Sequence, residues 1–253
     1  MSKSIDTVKN EVEKLGNGAS SRKTLTGSQI IAKALKNYGV PYVAGIPGHG
    51  SWTLMDAFHQ EGCEIPFIQM MHEQSAVHLA DGYYRASGKP MAAMTSVGPG
   101  AANTIIGLAA AYADSTATLL LTGGVGTHMR GHGCMQELDR YHSNDFNRVT
   151  EGVTKRNWEV SRVDELPFIM HRAFNSMLSG RPGPVHVEVP MDVQAESADV
   201  EIHDLKKRMP MGRLRPDPEA IEAAAKLLLS SERPVIVVGG GAITAEASPE
   251  LRQ

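Results

Sequence analysis

Short apolar runs alternate with amphipathic stretches along most of this 253-residue chain. An apolar run of about four to eight residues between turn residues is typical of a buried strand, whereas apolar residues at helical spacing indicate a helix. The runs predict strands at residues 42–46, 67–71, 91–95, 118–121, 153–160 and 185–189. Strands that alternate with helices predict an α/β fold, a doubly wound parallel sheet with helices on both faces.

Capping residues mark several of the predicted helices. Thr26 and Gln29 have the spacing of a capping box, and Ser51 is a suitable N-cap for the helix that follows it. Gly88 is placed to end a later helix, because glycine adopts the left-handed conformation common at helix C-termini. The small-residue run 101–113 predicts one closely packed helix.

Glu73 lies where the predicted strand 67–71 is followed by a helix. In α/β folds ligands bind at that edge of the sheet. Apolar neighbours, namely Met70, Met71 and Ala76, would raise the pKa of this carboxyl and suit it to proton chemistry. A carboxylate in the first turn of a helix also simply complements the helix dipole, and position alone does not decide between the two readings.

Changes in composition divide the chain into four parts. Residues 1–23 mix both charges and predict a flexible N-terminal extension, and residues 24–192 hold the alternating pattern. Residues 193–217 are rich in charge and proline and predict an exposed linker. Residues 218–253 contain a helix and an apolar strand, 234–238, which indicate the start of a second, Rossmann-like domain. Because such a piece cannot bury a core alone, we expect an amino-terminal piece of a longer polypeptide or one subunit of a split enzyme.

Charge and cysteine content narrow the functional classes. The net charge of −3 offers no nucleic-acid footprint, and no apolar run reaches the length needed to span a bilayer. Cys63 and Cys134 lack a redox or metal-binding spacing, so we expect a cytoplasmic protein. His128 and His132 have ligand-like spacing, but Gly131 argues against a helix that holds both rings, and we predict no metal site.

Seven short motifs occur in order along the chain. They are GIPG at 45–48, HEQ at 72–74, ADGY at 80–83, SGKP at 87–90, GPGAAN at 98–103, MQE at 135–137 and SGRPGP at 179–184. The set resembles the thiamine-diphosphate-dependent enzymes, in particular the acetolactate synthase (acetohydroxyacid synthase) large subunits. The match over about residues 26–192 corresponds to that family's pyrimidine-binding domain, and residues 218–253 resemble a truncated start of its central domain. The magnesium and diphosphate signature of the family's third domain does not occur in this sequence.

The resemblance implies a catalytic role for Glu73, whose carboxyl would hydrogen-bond a pyrimidine-ring nitrogen of the cofactor. The other residues that it places at the cofactor are Ile46, Pro47, Ser96, Pro99 and Asn103. Arg181 matches a residue that contacts the flavin in flavin-binding members. The implied cofactors are thiamine diphosphate, Mg²⁺ with its ligands in the missing domain, and FAD if the chain is a flavin-binding member.

The implied activity is that of a carboligase or decarboxylase acting on 2-oxo acids, as in branched-chain amino acid biosynthesis. The implied partners are a further copy of the chain or a chain that carries the diphosphate-binding domain. Two alternatives stay open: a thiamine-diphosphate lyase or hydrolase of 2-hydroxyacyl or cyclic-dione substrates, and a catalytically silent partner module. No nucleic acid or membrane is expected as a partner.

Three positions depart from the acetolactate synthase pattern. Gly124 stands where those enzymes have Gln, and Met135 stands where they have Phe before the predicted substrate-binding Gln136. His49 follows Pro-Gly, where small residues are usual, and its Gly-His-Gly setting resembles the cyclic-dione hydrolases. His49 is therefore a candidate proton donor or acceptor to substrate, and equally an ordinary histidine in a turn.

Overall fold

The computed structural model describes residues 22–133, 136, 146–202 and 215–252. The chain consists of two compact units, Met1–Arg208 and Met209–Gln253. The strands of the first unit are β1 (Lys23–Thr26), β2 (Val43–Gly45), β3 (Phe67–Gln69), β4 (Met91–Thr95), β5 (Thr118–Gly124), β6 (Arg156–Glu159), β7 (Val185–Pro190) and β8 (Ser197–Val200). Its α-helices are α1 (Gly27–Asn37), α2 (Trp52–Ala57), α3 (Glu73–Ser87), α4 (Pro99–Ala102), α5 (Ile105–Ala113), α6 (Phe146–Glu151), α7 (Leu166–Leu178) and α8 (Met191–Ala195). Short 3₁₀ helices cover His49–Ser51, Thr127–Met129 and Val163–Glu165.

A six-stranded sheet forms the centre of the first unit, with strand order β3-β2-β4-β5-β7-β6. Every neighbouring pair in it is parallel. In the register of the sheet, Ala44 of β2 lies between Ile68 of β3 and Ala93 of β4. The predicted parallel α/β fold is confirmed.

Alternate residues of β4 pack into two separate hydrophobic layers. Ala92 and Met94 belong to the cluster that contains the buried residues of α1, α2 and α7. Met91 and Ala93 belong to a second cluster with the buried residues of α3 and α5. Because successive strand residues point to opposite faces, helices cover both faces of the sheet.

The strand order reverses between β2 and β4. The chain steps from β2 outward to β3 and then returns to place β4 on the other side of β2. In open α/β sheets, ligands bind outside the carboxyl ends of the strands at such a switch point. The turns that follow β2 and β4 are therefore the expected position of a ligand site.

Two predicted elements differ from the structure near this edge. The apolar run at residues 67–71 is an edge strand rather than a buried one, and its Ile68 side chain is exposed. The predicted helix 101–113 is broken into α4 and α5 around Asn103 and Thr104. The Thr104 hydroxyl donates to the Ala101 carbonyl over 2.7 Å, a local bond that competes with the helical ladder.

The capping predictions at two helix ends are confirmed. Thr26 accepts from the backbone N–H of Gln29, whose side chain accepts in turn from the backbone N–H of Thr26. Gly88 ends α3 in the left-handed conformation. Ser51 differs, because its hydroxyl bonds to Gly48 rather than to the start of α2.

The first residues of the linker predicted at 193–217 are part of ordered secondary structure, and residues 203–214 lie outside the described residues. Val193 and Gln194 are buried in α8, and β8 pairs antiparallel with β1. Asp199 of this stretch lies in the two-stranded ribbon of β1 and β8, in which one face of each strand is free to be polar. Charge alone therefore does not mark a linker here.

The second unit, over its described residues 215–252, contains three helices: α9 (Pro218–Ser230), α10 (Gly240–Thr244) and α11 (Ser248–Leu251). The predicted strand 234–238 is not formed in these residues, and Val235 and Val237 are 85% and 93% exposed. The predicted inward face of α9 is also exposed, as at Ile221. A strand needs neighbouring backbone to pair with, and residues 215–252 do not provide it.

The core carries a histidine whose titration has a measurable consequence. His186 on β7 is fully buried between the hydroxyls of Thr122 and Thr150, at 2.7 and 2.9 Å from its two ring nitrogens. Burial lowers the pKa of His186 to about 3, so the native ring stays neutral.

We expect the free energy of unfolding to fall as the pH drops below about 6.5. In that range the unfolded chain binds a proton at His186 and the native chain does not, so stability rises with pH. Between pH 6.5 and 5 this one group should account for about 2 kcal/mol. Urea denaturation at several pH values checks it: His186→Gln should flatten the pH dependence, and His59→Gln, at an exposed position, should not.

Candidate functional site

Two glycine-rich turns meet at the carboxyl ends of β2 and β4. The backbone N–H of Gly50 donates to the Ser96 hydroxyl over 3.3 Å. A Cβ atom on Gly48 would lie only 2.6 Å from the Cβ of Ser96, so the turns approach as closely as backbone allows. Ile46 and Pro47, predicted at the cofactor, lie in the first of these turns and are partly exposed.

Glu73 is the first residue of α3, directly after the short loop that follows β3. The Nδ1 atom of His72 caps the helix by accepting from the backbone N–H of Gln74 over 3.2 Å. One carboxylate oxygen of Glu73, Oε2, accepts from the side-chain amide of Asn103 over 3.0 Å. The structure thus brings together two residues predicted at the site that are thirty positions apart in sequence.

The second oxygen of Glu73 lies over a glycine. A Cβ atom on Gly100 would lie 3.2 Å from Glu73 Oε1, so the absence of a side chain there keeps space beside the carboxylate. No described residue donates a hydrogen bond to Oε1. The apolar wall expected from Met71 is not formed, because that side chain is 95% exposed.

This geometry fits a flat heteroaromatic ring with a nitrogen facing the carboxylate. Asn103 fixes one oxygen of Glu73 through the Nδ2 donor, which leaves the other oxygen to share a proton with a ligand. Pro99, also predicted at the cofactor, begins α4, and Asn103 caps the end of the same helix, so α4 joins Pro99 to the residue that anchors Glu73. The pyrimidine ring of thiamine diphosphate is a group of this shape and chemistry.

Gly98 connects β4 to α4 with φ +57° and ψ −114°. A Cβ atom at this position would lie 2.4 Å from the carbonyl oxygen of Gln136. The predicted substrate-binding Gln136 is therefore beside the GPG turn, at the same edge as Glu73. Met135, predicted with it, lies outside the described residues.

His49 lies in the 3₁₀ helix His49–Ser51 at this edge and is partly exposed. The next residue, Gly50, is enclosed, because a Cβ atom on Gly123 of β5 would lie 2.1 Å from the Gly50 carbonyl oxygen. The His49 turn consequently rests on the carboxyl end of β5 as well as on β4. Its role toward a substrate stays a prediction.

Arg181 is at the opposite edge of the sheet. It precedes β7, and its guanidinium donates to the Ser115 hydroxyl over 2.6 Å and to the Ala113 carbonyl over 2.9 Å. These acceptors lie at the end of α5, just before β5 begins. Arg181 therefore caps a helix C-terminus, and the structure does not bring it to Glu73.

An ordered carboxylate supports the loop after β5. Asp192 accepts from the backbone N–H of Thr127 over 2.9 Å and from the backbone N–H of Val193 over 3.0 Å. Burial would raise the pKa of Asp192, but these donors and the Thr127 hydroxyl outweigh it and lower the pKa overall. His128 lies 3.7 Å away with its ring mostly exposed.

A buried amide that the sequence did not point to also lies at this edge. Gln194 on α8 is 1% exposed and donates to the carbonyl of Gly50 over 2.7 Å. The sequence around it, charged and after a proline, indicates a linker rather than a core position. The apolar Val193 beside it was the one available signal of burial.

Two features are absent from the described part of the chain. Within it, no helix is long and apolar enough to cross a membrane. Among the same residues, no three His, Cys, Asp or Glu side chains gather as ligands for a metal ion.

Known proteins share this sequence pattern. Residues 25–143 match the family described as thiamine pyrophosphate enzyme, N-terminal TPP binding domain. The probable acetolactate synthase large subunit of Methanocaldococcus jannaschii is 38% identical over 231 residues, which are 90% of this chain and 38% of that protein.

Bacterial proteins show a similar level of identity. The acetolactate synthase large subunit of Haemophilus influenzae is 35% identical over 236 residues, covering 91% of this chain and 40% of that protein. The acetolactate synthase isozyme 1 large subunit of Escherichia coli is 36% identical over 228 residues, covering 90% and 39% respectively. The chain spans about two fifths of the length of these curated relatives.

The matched family, the parallel sheet and the carboxylate at its switch point agree with one another. Glu73, Gly98, Gly100 and Asn103 all lie inside the matched range, as does the turn that carries His49. Residues 25–143 therefore match the N-terminal TPP binding domain of the thiamine pyrophosphate enzymes, within a chain that is similar to acetolactate synthase large subunits over about 90% of its length.

Proposed function

We propose that this chain is the pyrimidine-binding part of a thiamine-diphosphate-dependent lyase or transferase that acts on 2-oxo acids. The observation that carries the proposal is the Glu73 carboxylate, anchored at Oε2 by Asn103 and open at Oε1 over Gly100. Similarity to acetolactate synthase large subunits supports carboligation as the reaction class.

When bound, thiamine diphosphate supplies the carbon centre that stabilises negative charge during decarboxylation and carbon–carbon bond formation. The chain's own residues orient it. Asn103 holds the Glu73 carboxylate in place, and Glu73 holds a proton at Oε1 toward the ring nitrogen. His49, at the end of the neighbouring turn, is the proposed proton donor or acceptor to substrate.

The diphosphate and its Mg²⁺ belong, in this proposal, to a separate diphosphate-binding domain, on a longer form of this polypeptide, a further copy or another chain. Among the described residues, Glu73 is placed to contact the pyrimidine ring. The same residues contain no cluster of side chains that could bind a metal ion. FAD stays a prediction that depends on Arg181, whose guanidinium donates to Ser115 and Ala113 in this structure.

A second candidate reaction is favoured by the surroundings of Gly124. A Cβ atom on Gly124 would lie 2.8 Å from Oε1 of the buried Glu188, so the larger side chain of acetolactate synthases does not fit without moving Glu188. The end of β5 therefore carries no side chain at the position where acetolactate synthases have Gln. This supports a lyase or hydrolase with another acyl substrate, such as a 2-hydroxyacyl compound or cyclic dione.

Calorimetry with thiamine diphosphate and Mg²⁺ tests the proposal. We expect no tight binding to this chain alone and tight binding once the diphosphate-binding counterpart is supplied in cis or in trans. Glu73→Gln should weaken the second titration. Tight binding to the isolated chain would contradict the half-site, and no binding with the counterpart would contradict the proposed cofactor.

A further inference from the structure

Both the Nε2 and the Oε1 atom of the Gln194 side chain form hydrogen bonds inside the protein. Its Nε2 atom donates to the Gly50 carbonyl over 2.7 Å and to the Val189 carbonyl over 2.8 Å. Its Oε1 atom accepts from the Thr53 hydroxyl over 2.8 Å. With 1% exposure, the residue joins three elements that are distant in sequence: the end of β7, the His49–Ser51 helix and α2.

Gly50, whose carbonyl accepts from Gln194, is held at two further points. The N–H of Gly50 donates to the Ser96 hydroxyl at the end of β4. The Gly50 carbonyl lies so close to Gly123 that a Cβ atom there would approach it to 2.1 Å. Neither of these two contacts donates a hydrogen bond to the Gly50 carbonyl, whereas the side-chain amide of Gln194 does.

His49 immediately precedes Gly50 in the sequence. A buried carbonyl that loses its donor is costly, and a turn can avoid that cost by moving toward water. Loss of the Gln194 amide would therefore release the turn at Gly50 and let His49 shift. The Val189 carbonyl would lose the same donor, whereas Thr53 is exposed and can bond to water.

We propose that Gln194 is a positioning residue that fixes the His49 turn at the carboxyl edge of the sheet. It acts through the Gly50 carbonyl and does not itself touch ligand, since it is buried beneath the turn. Its effect on turnover rests on the function proposed above, whereas its effect on the turn does not.

Hydrogen exchange on the full chain tests the structural half. Gln194→Met should lower the protection factors of the Gly50 and Ser51 amides at least tenfold, beyond any change in global unfolding. Gln29→Met is the matched control, because Gln29 also uses its donor and acceptor, toward Gln60 and Thr26, but lies away from the turn. Equal protection of Gly50 and Ser51 in Gln194→Met and in the native chain would overturn the proposal.

Gln194→Glu adds a rescue by pH and covers a failure of Gln194→Met to fold. A protonated carboxyl can donate one hydrogen bond to the Gly50 carbonyl, and an ionised one cannot. Protection of Gly50 relative to intrinsic exchange should be near native at pH 5 and at least tenfold lower at pH 8. A protection factor that does not change with pH would contradict the assigned donor.

The effect of Gln194 on turnover is tested in the complete enzyme. Gln194→Met should lower kcat at least tenfold in the presence of His49, and should add little once His49→Ala has been made. An additive loss would show that Gln194 does not act through His49. If Glu73→Gln leaves turnover unchanged, the proposed function fails, and the exchange experiment still decides the role of Gln194.

Discussion

Glu73→Gln in the complete enzyme is expected to lower thiamine-diphosphate-dependent turnover by about a hundredfold or more. The amide has the size of the carboxyl and can still accept from Asn103, so the local geometry should persist. It cannot hold and release a proton at the oxygen over Gly100, and that proton is what the proposed chemistry requires. Steady-state turnover with a 2-oxo acid, together with deuterium exchange at C2 of the bound cofactor, measures both consequences.

Two variants separate charge from position at Glu73. Asn103→Ala keeps the carboxylate and removes its only described side-chain donor, so a smaller loss is expected than for Glu73→Gln. Glu151→Gln removes an exposed carboxylate on α6 and should leave turnover unchanged. Native turnover in Glu73→Gln, with the cofactor bound, would refute the assignment of this residue.

Local patterns were sufficient for the central elements of the fold. The apolar run at Met91–Thr95 became a strand with the predicted bounds, and Gly88 ended α3 as predicted. These outcomes depend on residues that are close in sequence, where periodicity and backbone conformation carry the information. The same patterns placed Glu73 at the end of a strand and the beginning of a helix.

Contacts between distant residues could not be read in this way. The bond from Gln194 to Gly50 joins residues 144 positions apart, and nothing near either residue indicates the other. The pairing of β8 with β1 is similar, because the charged sequence of β8 is compatible with both a linker and an edge strand. The proximity of Asn103 to Glu73 was expected only through the resemblance to a family, and not from spacing.

The run at residues 234–238 shows that a local strand pattern does not by itself produce a strand. Its apolar residues satisfy the local pattern of a strand, yet within residues 215–252 no backbone pairs with it. Strand formation depends on ladder hydrogen bonds to a neighbour, so composition can indicate a strand only where the neighbour is also present.

Gly98→Ala should lower the free energy of unfolding by about 3 kcal/mol or more. The backbone at φ +57° and ψ −114° lies outside the regions open to residues with a Cβ atom. The new Cβ would also lie 2.4 Å from the Gln136 carbonyl oxygen, so the substitution adds a clash to the strain. Urea denaturation of the full chain measures the loss.

Gly88→Asn is the matched control for Gly98→Ala. Gly88 also has positive φ, +69°, but its ψ of 6° places it in the left-handed helical region, where asparagine is tolerated. No atom lies within 4 Å of a Cβ built there, so a loss below about 1 kcal/mol is expected. Similar losses in the two variants would mean that positive φ alone sets the cost. A much larger loss at Gly98 would assign the difference to its ψ angle and to the Gln136 contact, and would tie the GPG turn to the conformation that places Asn103 beside Glu73.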